Sequence, residues 1–468
     1  MFKNYLEDIT SFAEWNTYVN RIPMLKIGVE ILKKLEKYGD AYIVGGAVRD
    51  IVIGNKEPDD IDIATNVPIK KIEELFESHD IGKNKDFGIV VITYKGFTYE
   101  IANFRRDGTY SDGRHPESVE IVMSFEDDAA RRDFTINAMA IDSNGNVIDY
   151  FDGMNAIQNK VLKTVGDPEQ RFKEDYLRMM RMARFASRLN YTIDKDSIEA
   201  VKKLANNITN VSSERILQEI LKAAEQSGDR FAQYIEILYE ANLLKYILPE
   251  IVNLKDMEHS LDVHPEGPNV YDHVISAIRA NDIATPIVNL AILLHDIGKL
   301  TTKTYVDGRA KYLGHAQAGI SLIEEIASRL KMDNETKDAL IFACENHMKL
   351  HDFLNMSNAK IFSLIKNKHW NVLYNVALAD QKARGDLFSK QEWDKITKKI
   401  EEVTLKYANT DFSNNLKKIV NGELVMKLKN LKPGPEVGKT INKTIDWILN
   451  NNIDINDINK INDYIKKV

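Results

Sequence analysis

The chain has 468 residues, 44% of them hydrophobic and 28% charged, which is ordinary globular material with apolar mass for more than one core. With 63 Lys and Arg against 70 Asp and Glu the net charge is −7, which excludes a uniformly basic nucleic-acid binder; any RNA surface must be a local stripe. The single cysteine, Cys344, excludes a disulfide framework and a multi-cysteine zinc site, and with no signal peptide in Met1–Trp15 and no long apolar run the expected location is the cytoplasm, away from membranes.

Leu25, Val29, Leu32 and Leu35 recur at helical spacing and predict a helix over 24–37, ending near Gly39. Ala41–Val44 reads as a short buried strand, followed by Gly45-Gly46 and a helical turn to Val52. Strands are expected at Ile61–Ala64, Ile89–Tyr94 and Phe97–Asn103, the last two joined by Lys95-Gly96 as a hairpin. Residues 106–118 read as a polar loop. From Glu169 to about Leu387 the pattern is almost wholly helical, with breaks at Asn206–Ser213 and at HPEGPN, 264–269. The tail is rich in Lys and Asn. The expected fold is therefore α+β: an N-terminal head with an antiparallel-rich sheet (1–155), then a helical neck (156–255), a helical third domain (256–387) and a helical tail (388–468).

Chemistry first gathers at Gly45-Gly46-Ala47-Val48-Arg49-Asp50 and Asp59-Asp60-Ile61-Asp62. On a strand, Asp60 and Asp62 would point the same way. Two adjacent carboxylates repel unless a divalent cation joins them to a substrate, and Mg2+ takes one or two carboxylates plus phosphate oxygens. The glycines let backbone N–H groups approach a triphosphate. In this order the residues resemble the class II CCA-adding tRNA nucleotidyltransferase and bacterial poly(A) polymerase family, which has a polymerase-β-like head. The resemblance implies Mg2+ on Asp60 and Asp62 and transfer of nucleotides from CTP and ATP to the 3′ end of tRNA. Glu100 is either a third carboxylate beside the metal or a solvated strand residue. Asp107–Pro116 resembles the family's flexible loop, with Arg114 its most telling residue.

Two further motifs follow. Arg131-Arg132-Asp133-Phe134-Thr135-Ile136-Asn137 would place Asp133 and Asn137 on one helix face; in the family this segment contacts the sugar and triphosphate, so Arg132, Asp133 and Asn137 join Gly45, Gly46 and Arg49 as nucleotide-binding candidates. Glu174-Asp175 with Arg178 and Arg181 would set Asp175 and Arg178 side by side at i, i+3. A carboxylate beside a guanidinium matches the amine and ring nitrogen that cytosine and adenine share, and in the resembling family this pair selects the base. Glu214 and Arg215, in the neck-like stretch beyond, are expected supports.

Eight of the ten histidines lie between 259 and 369. His273, then His295-Asp296, then Asp380 match in order the ligands of the HD phosphohydrolase superfamily, with Lys299 as the basic follower. Such donors suit Mg2+, Mn2+, Ni2+ or Fe2+, and His315 and His347 are candidates for a second metal. Some bacterial relatives carry such a domain, where it resembles a 2′,3′-cyclic phosphodiesterase and phosphatase. In the tail Lys427, Lys429, Lys432 and Lys439 are either RNA-phosphate contacts or a solvated face. Alternatives to CCA addition are a poly(A) polymerase, a partial A- or C-only adder, and a nucleotide-directed phosphohydrolase with an idle transferase domain. The sequence does not set an oligomeric state.

Overall fold

The computed structural model describes residues 12–54, 57–79, 88–108, 119–407, 416, 418–451 and 453–468. The chain divides into two units: Met1–Ala223 with Gln233–Pro249, and Ala224–Ala232 with Glu250–Val468.

In the first unit, Pro23 opens a helix that runs to Leu35, its fixed φ suiting the first turn. Leu25, Val29, Leu32 and Leu35 are all buried, so the apolar face is the one the spacing predicted. Seven strands form one sheet: β1 (Ala41–Val44), β2 (Asp62–Thr65), β3 (Ser78–His79), β4 (Ile89–Tyr94), β5 (Phe97–Asn103), β6 (Met139–Ile141) and β7 (Val147–Asp149). Their order is β3-β4-β5-β2-β1-β6-β7. β2 and β5 are parallel and every other neighbouring pair is antiparallel, so the sheet is mixed but antiparallel-rich, as expected. Lys95 and Gly96 both take positive φ (49° and 85°), the backbone a two-residue hairpin needs. One expectation shifts: β2 begins at Asp62, so Asp60 sits in the preceding loop and not on the strand. Beyond the sheet come helices, including Pro168–Glu174, Leu177–Leu189 and Ser213–Ala224.

The second unit is helical. Pro286–Leu294 is apolar nearly all round because Val288 through Leu294 are all buried. Around it stand Val270–Arg279, Asn334–Asn346 and Trp370–Ala383. The almost wholly helical expectation missed a hairpin, Thr304–Val306 with Arg309–Lys311, turning at Asp307-Gly308 with positive φ at both. The tail helices Gly422–Lys429, Pro435–Asn450 and Ile458–Lys467 pack on their own core of Val425, Ile448, Ile461 and Ile465. Among the described residues no helix is long and apolar enough to cross a membrane. The two units are coarser than the four segments expected from the sequence.

Candidate functional site

A cleft of about 720 Å3 in the first unit gathers most of the sequence candidates: Gly45, Gly46, Arg49, Asp60, Asp62, Arg132, Asp133, Asn137, Asp175, Arg178 and Arg181. Eight arginines and six aspartates line it, and among the described residues no lysine does. Guanidinium groups stay charged at any working pH and bind phosphate oxygens in pairs, so this lining suits a polyphosphate.

The floor comes from the sheet. Val44 at the end of β1 faces Asp62 in register, and on the other side Asp62 faces Glu100 of β5. The parallel pairing thus brings Glu100 beside the first carboxylates, which sequence spacing alone could not establish. Burial, Asp60 and Glu100, in that order, raise the Asp62 pKa to about 6, with Arg132 opposing them. A divalent cation among these carboxylates would offset the repulsion between them. Gly45 caps the helix Gly46–Ile53 with φ +73°, a conformation that a side chain would strain, and the Arg132 guanidinium lies where its Cβ would point.

The wall is a network of arginines, each held by an acceptor. Asp128, 1% exposed, accepts from Arg131 Nη2 at 2.8 Å and from Arg132 Nη2 at 3.0 Å. Sequence reasoning missed this residue within an acidic stretch, although arginines at i+3 and i+4 are the signal for such a clamp. Asn137 accepts from Arg49 Nη1 at 2.8 Å and donates to Asp133 Oδ1 at 3.2 Å. The Asp133–Asn137 contact was expected, but its vehicle is a single 3-10 turn, Thr135–Asn137, and not an α-helix. Asp133 Oδ2 accepts from Nε and Nη2 of Arg181 at 2.8 and 2.7 Å. Burial would raise the Asp133 pKa, but Arg181 outweighs it and brings it to about 2. Phe185 lies under Arg49, Arg181 and Arg184, at 5.3, 5.3 and 4.6 Å, and stiffens the cluster.

Asp175 and Arg178 need a correction. They do not share a helix face. Asp175 has extended backbone (φ −149°) and ends the helix Pro168–Glu174, while Arg178 belongs to the next helix, Leu177–Leu189. The Asp175 carboxylate accepts the N–H of Leu177 at 3.0 Å, a local bond that favours breaking the helix there. Each group has a separate partner: Asp175 accepts from Arg215 at 3.2 and 2.7 Å, and Arg178 donates to Glu174 at 2.5 Å. Both still line the cleft. Arg114, and the loop residues 109–118 around it, lie outside the described residues.

In the second unit six buried side chains converge: His273, His295, Asp296, His315, His347 and Asp380. Their ligand atoms fall into two sets, His273/His295/Asp380 and Asp296/His315/His347, each within 4.8 Å. Asp296 lies between them. Its Oδ2 is 3.4 Å from His295 Nε2 and 3.7 Å from His273 Nε2, and its Oδ1 is 3.2 Å from His315 Nε2 and 3.6 Å from His347 Nε2. The buried Nε2 atoms of His273 and His295 have no hydrogen-bond partner of acceptable geometry among the described residues, though Asp380 Oδ1 comes within 3.0 Å of the former. Buried imidazole nitrogens of this kind, aimed among carboxylate oxygens, fit divalent cations. Burial would raise the Asp296 pKa, but Lys299 and His295 hold it well below the carboxylate range. Lys299 Nζ stands 2.6 Å from Asp296 Oδ2. Gly298 permits the close approach of the helix that begins at His315, since a Cβ there would meet the carbonyl oxygen of His315 at 2.0 Å.

Lys427 and Lys429 lie on Gly422–Lys429, Lys432 in the turn after it, and Lys439 on Pro435–Asn450; three are exposed and Lys429 is half-buried.

Comparison with known proteins shows what the chain is similar to. Residues 41–163 match the model of the poly A polymerase head domain. Residues 190–254 match that of the probable RNA and SrmB-binding site of polymerase A. A CCA-adding enzyme of Staphylococcus haemolyticus is 41% identical over 218 residues, 46% of this chain and 54% of that protein. One from Geobacillus kaustophilus is 40% identical over 227 residues, 48% and 55% of the two chains. The matched segments span about half the length of these relatives. The crystal structure of the Bacillus stearothermophilus CCA-adding enzyme in complex with CTP is similar over 95% of this chain and 97% of its own, with a TM-score of 0.70 and 25% identity. The Thermotoga maritima CCA-adding enzyme complexed with tRNA has the same fold, with a TM-score of 0.58 and 20% identity over 93% of this chain and 94% of its own. Residues 41–163 and 190–254 are thus similar to the poly A polymerase head domain and to its RNA-binding companion, the matched segments containing the motifs read from the sequence up to Asn137.

Proposed function

We propose that this protein is a nucleotidyltransferase that adds CCA to the 3′ end of tRNA from CTP and ATP, without a nucleic-acid template, in the cytoplasm. The observation that carries this reading is the cleft itself, lined by Asp60, Asp62 and eight arginines, with Glu100 in register beside Asp62 on the next strand. The similarity to CCA-adding enzymes, one of them in complex with CTP, favours CTP and ATP over ATP alone. In this reading the head is 1–155, the neck 156–255 and the tail 388–468.

Asp60, Asp62 and Glu100 would hold Mg2+, which when bound supplies positive charge at the attacking hydroxyl and the leaving pyrophosphate. Gly45, Gly46, Arg49 and Arg132 bind the triphosphate, and Asp133 and Asn137 hold the ribose hydroxyl. Asp175 and Arg178, fixed by Arg215 and Glu174, face the base edge and accept the amine and donate to the ring nitrogen that C and A share. Lys427, Lys429, Lys432 and Lys439 meet tRNA phosphates. The test is incorporation of CTP and ATP, separately and together, into tRNA transcripts lacking one, two or three terminal nucleotides. Addition of two C and then one A is expected. Incorporation of ATP alone would make the enzyme a poly(A) polymerase or an A-adder.

A second activity is favoured by the buried donor set in residues 256–387. His273, His295, Asp296 and Asp380 would hold one divalent cation, such as Mg2+, Mn2+ or Ni2+, and Asp296, His315 and His347 a second. The chemistry so supplied is activation of water against a phosphate ester. A 2′,3′-cyclic phosphate at a damaged tRNA end is the substrate class that fits beside end repair. Opening of the cyclic phosphate to a terminal monoester by the full-length protein, followed by a second hydrolysis that frees phosphate, both lost in EDTA, is the expected result; neither step with any of the three metals would reject it.

A further inference from the structure

The four histidines of the second unit's centre all turn Nε2 inward, and each anchors its ring by Nδ1. Three use the same device, a main-chain carbonyl three residues earlier: His295 to Ile292 at 2.7 Å, His315 to Tyr312 at 2.8 Å and His347 to Cys344 at 2.6 Å. His273 differs. Its Nδ1 donates to Glu266 Oε1 at 2.5 Å, from a carboxylate 4% exposed. Glu266 comes from the 264–269 loop and not from the helix that carries His273, and its Oε1 also lies 2.9 Å from His264 Nδ1.

A carboxylate behind an imidazole fixes its tautomer and makes it a stronger donor than a neutral carbonyl does. The charges around the two positions also differ. A cation among His273, His295 and Asp380 meets Asp380, the shared Asp296 and, one bond removed, Glu266. A cation among Asp296, His315 and His347 has, among the described residues, the shared Asp296 as the one carboxylate of its set. Lys299 stands on Asp296 Oδ2 and opposes the first position, but one ammonium is set against two carboxylates that the second position lacks.

We infer that the two cation positions are unequal: the His273/His295/Asp380 position is the tight one, with Glu266 its positioning residue, and the Asp296/His315/His347 position is exchangeable. This rests on the metal-centre reading above. It assigns to the HPEGPN loop a task in metal retention.

The test is a Co2+ titration of the EDTA-stripped, full-length protein, read as Co2+ bound per chain at equilibrium, with Asp296→Ala as the blank for metal taken up by the transferase carboxylates. Two steps of different affinity are expected. Glu266→Gln should weaken the first step about 10–100-fold and leave the second within about 3-fold. Glu266→Asp should recover part of the loss, and His315→Ala should remove the second step alone. Retained CTP incorporation and circular dichroism check the fold of each variant. A single step of equal sites, an unmoved first step in Glu266→Gln, or both steps weakened together would overturn the inference. No Co2+ bound beyond the Asp296→Ala blank would overturn the metal centre itself, and so separates the two failures.

Discussion

Arg215 grips Asp175 with two guanidinium nitrogens, at 3.2 and 2.7 Å, from a helix that begins at Ser213. The acceptor assigned to the base edge is therefore oriented from outside its own motif. Arg215→Ala removes a bidentate charged bond worth about 1.5–3 kcal/mol, so kcat/KM for CTP and ATP should fall about 10–100-fold. Arg178→Ala should blur selection of C and A against U and G. Competition assays with all four nucleotides check both, and unchanged selectivity in Arg178→Ala would leave that residue a purely structural ion-pair partner.

Asp62 offers a pH signature. Its pKa is raised from 3.8 to about 6, chiefly by burial and then by Asp60 and Glu100, so its ionisation works against the metal-free fold. That destabilisation is fully present above about pH 6 and disappears as pH falls to the unfolded value. In EDTA, the stability difference between Asp62→Asn and the parent should favour the variant at pH 7.5 and shrink toward pH 4. Denaturant midpoints across that range measure it. Asp62→Asn should also abolish nucleotide incorporation while phosphate-ester hydrolysis continues.

Asp296→Ala should give the reverse pattern. Asp296 touches both ligand sets, so its loss should empty both positions and end hydrolysis, with CTP and ATP incorporation unchanged. Bound metal counted by mass spectrometry and phosphate release report the two effects. Undiminished hydrolysis would place that chemistry elsewhere in the chain.

The tail lysines are tested by salt. Replacing Lys427, Lys429, Lys432 and Lys439 together with Ala should weaken tRNA binding. The dependence of log K on log salt should flatten by about 0.7–0.9 for each RNA phosphate that is no longer neutralised. An unchanged slope would make the four lysines a solvated face.

How far the sequence could be read depended on the distance over which each feature is determined. Strands Ala41–Val44, Ile89–Tyr94 and Phe97–Asn103 were legible because alternation and Gly punctuation are local. Asp175 and Arg178 were misjudged because spacing cannot show that a carboxylate, by taking the N–H of Leu177, ends one helix and starts another. The place of Glu100 followed only from parallel pairing with β2, a long-range choice. Pro and Gly made HPEGPN read as a mere break, which concealed Glu266. Asp307-Gly308 was the opposite case: a strong local hairpin signal overlooked within a helical surround.

The position of β1 bears on how the chain must be made. β1 lies between β2 and β6, pairing Ile43 with Ile63 on one side and with Ile141 on the other. During synthesis its second edge has no mate until residues 139–141 leave the ribosome, and an unpaired apolar edge invites pairing between chains. Nascent chains stalled before Met139 should therefore aggregate or recruit chaperones. Those released after Asp149, with β7 added outside β6, should be the first to hold a soluble head.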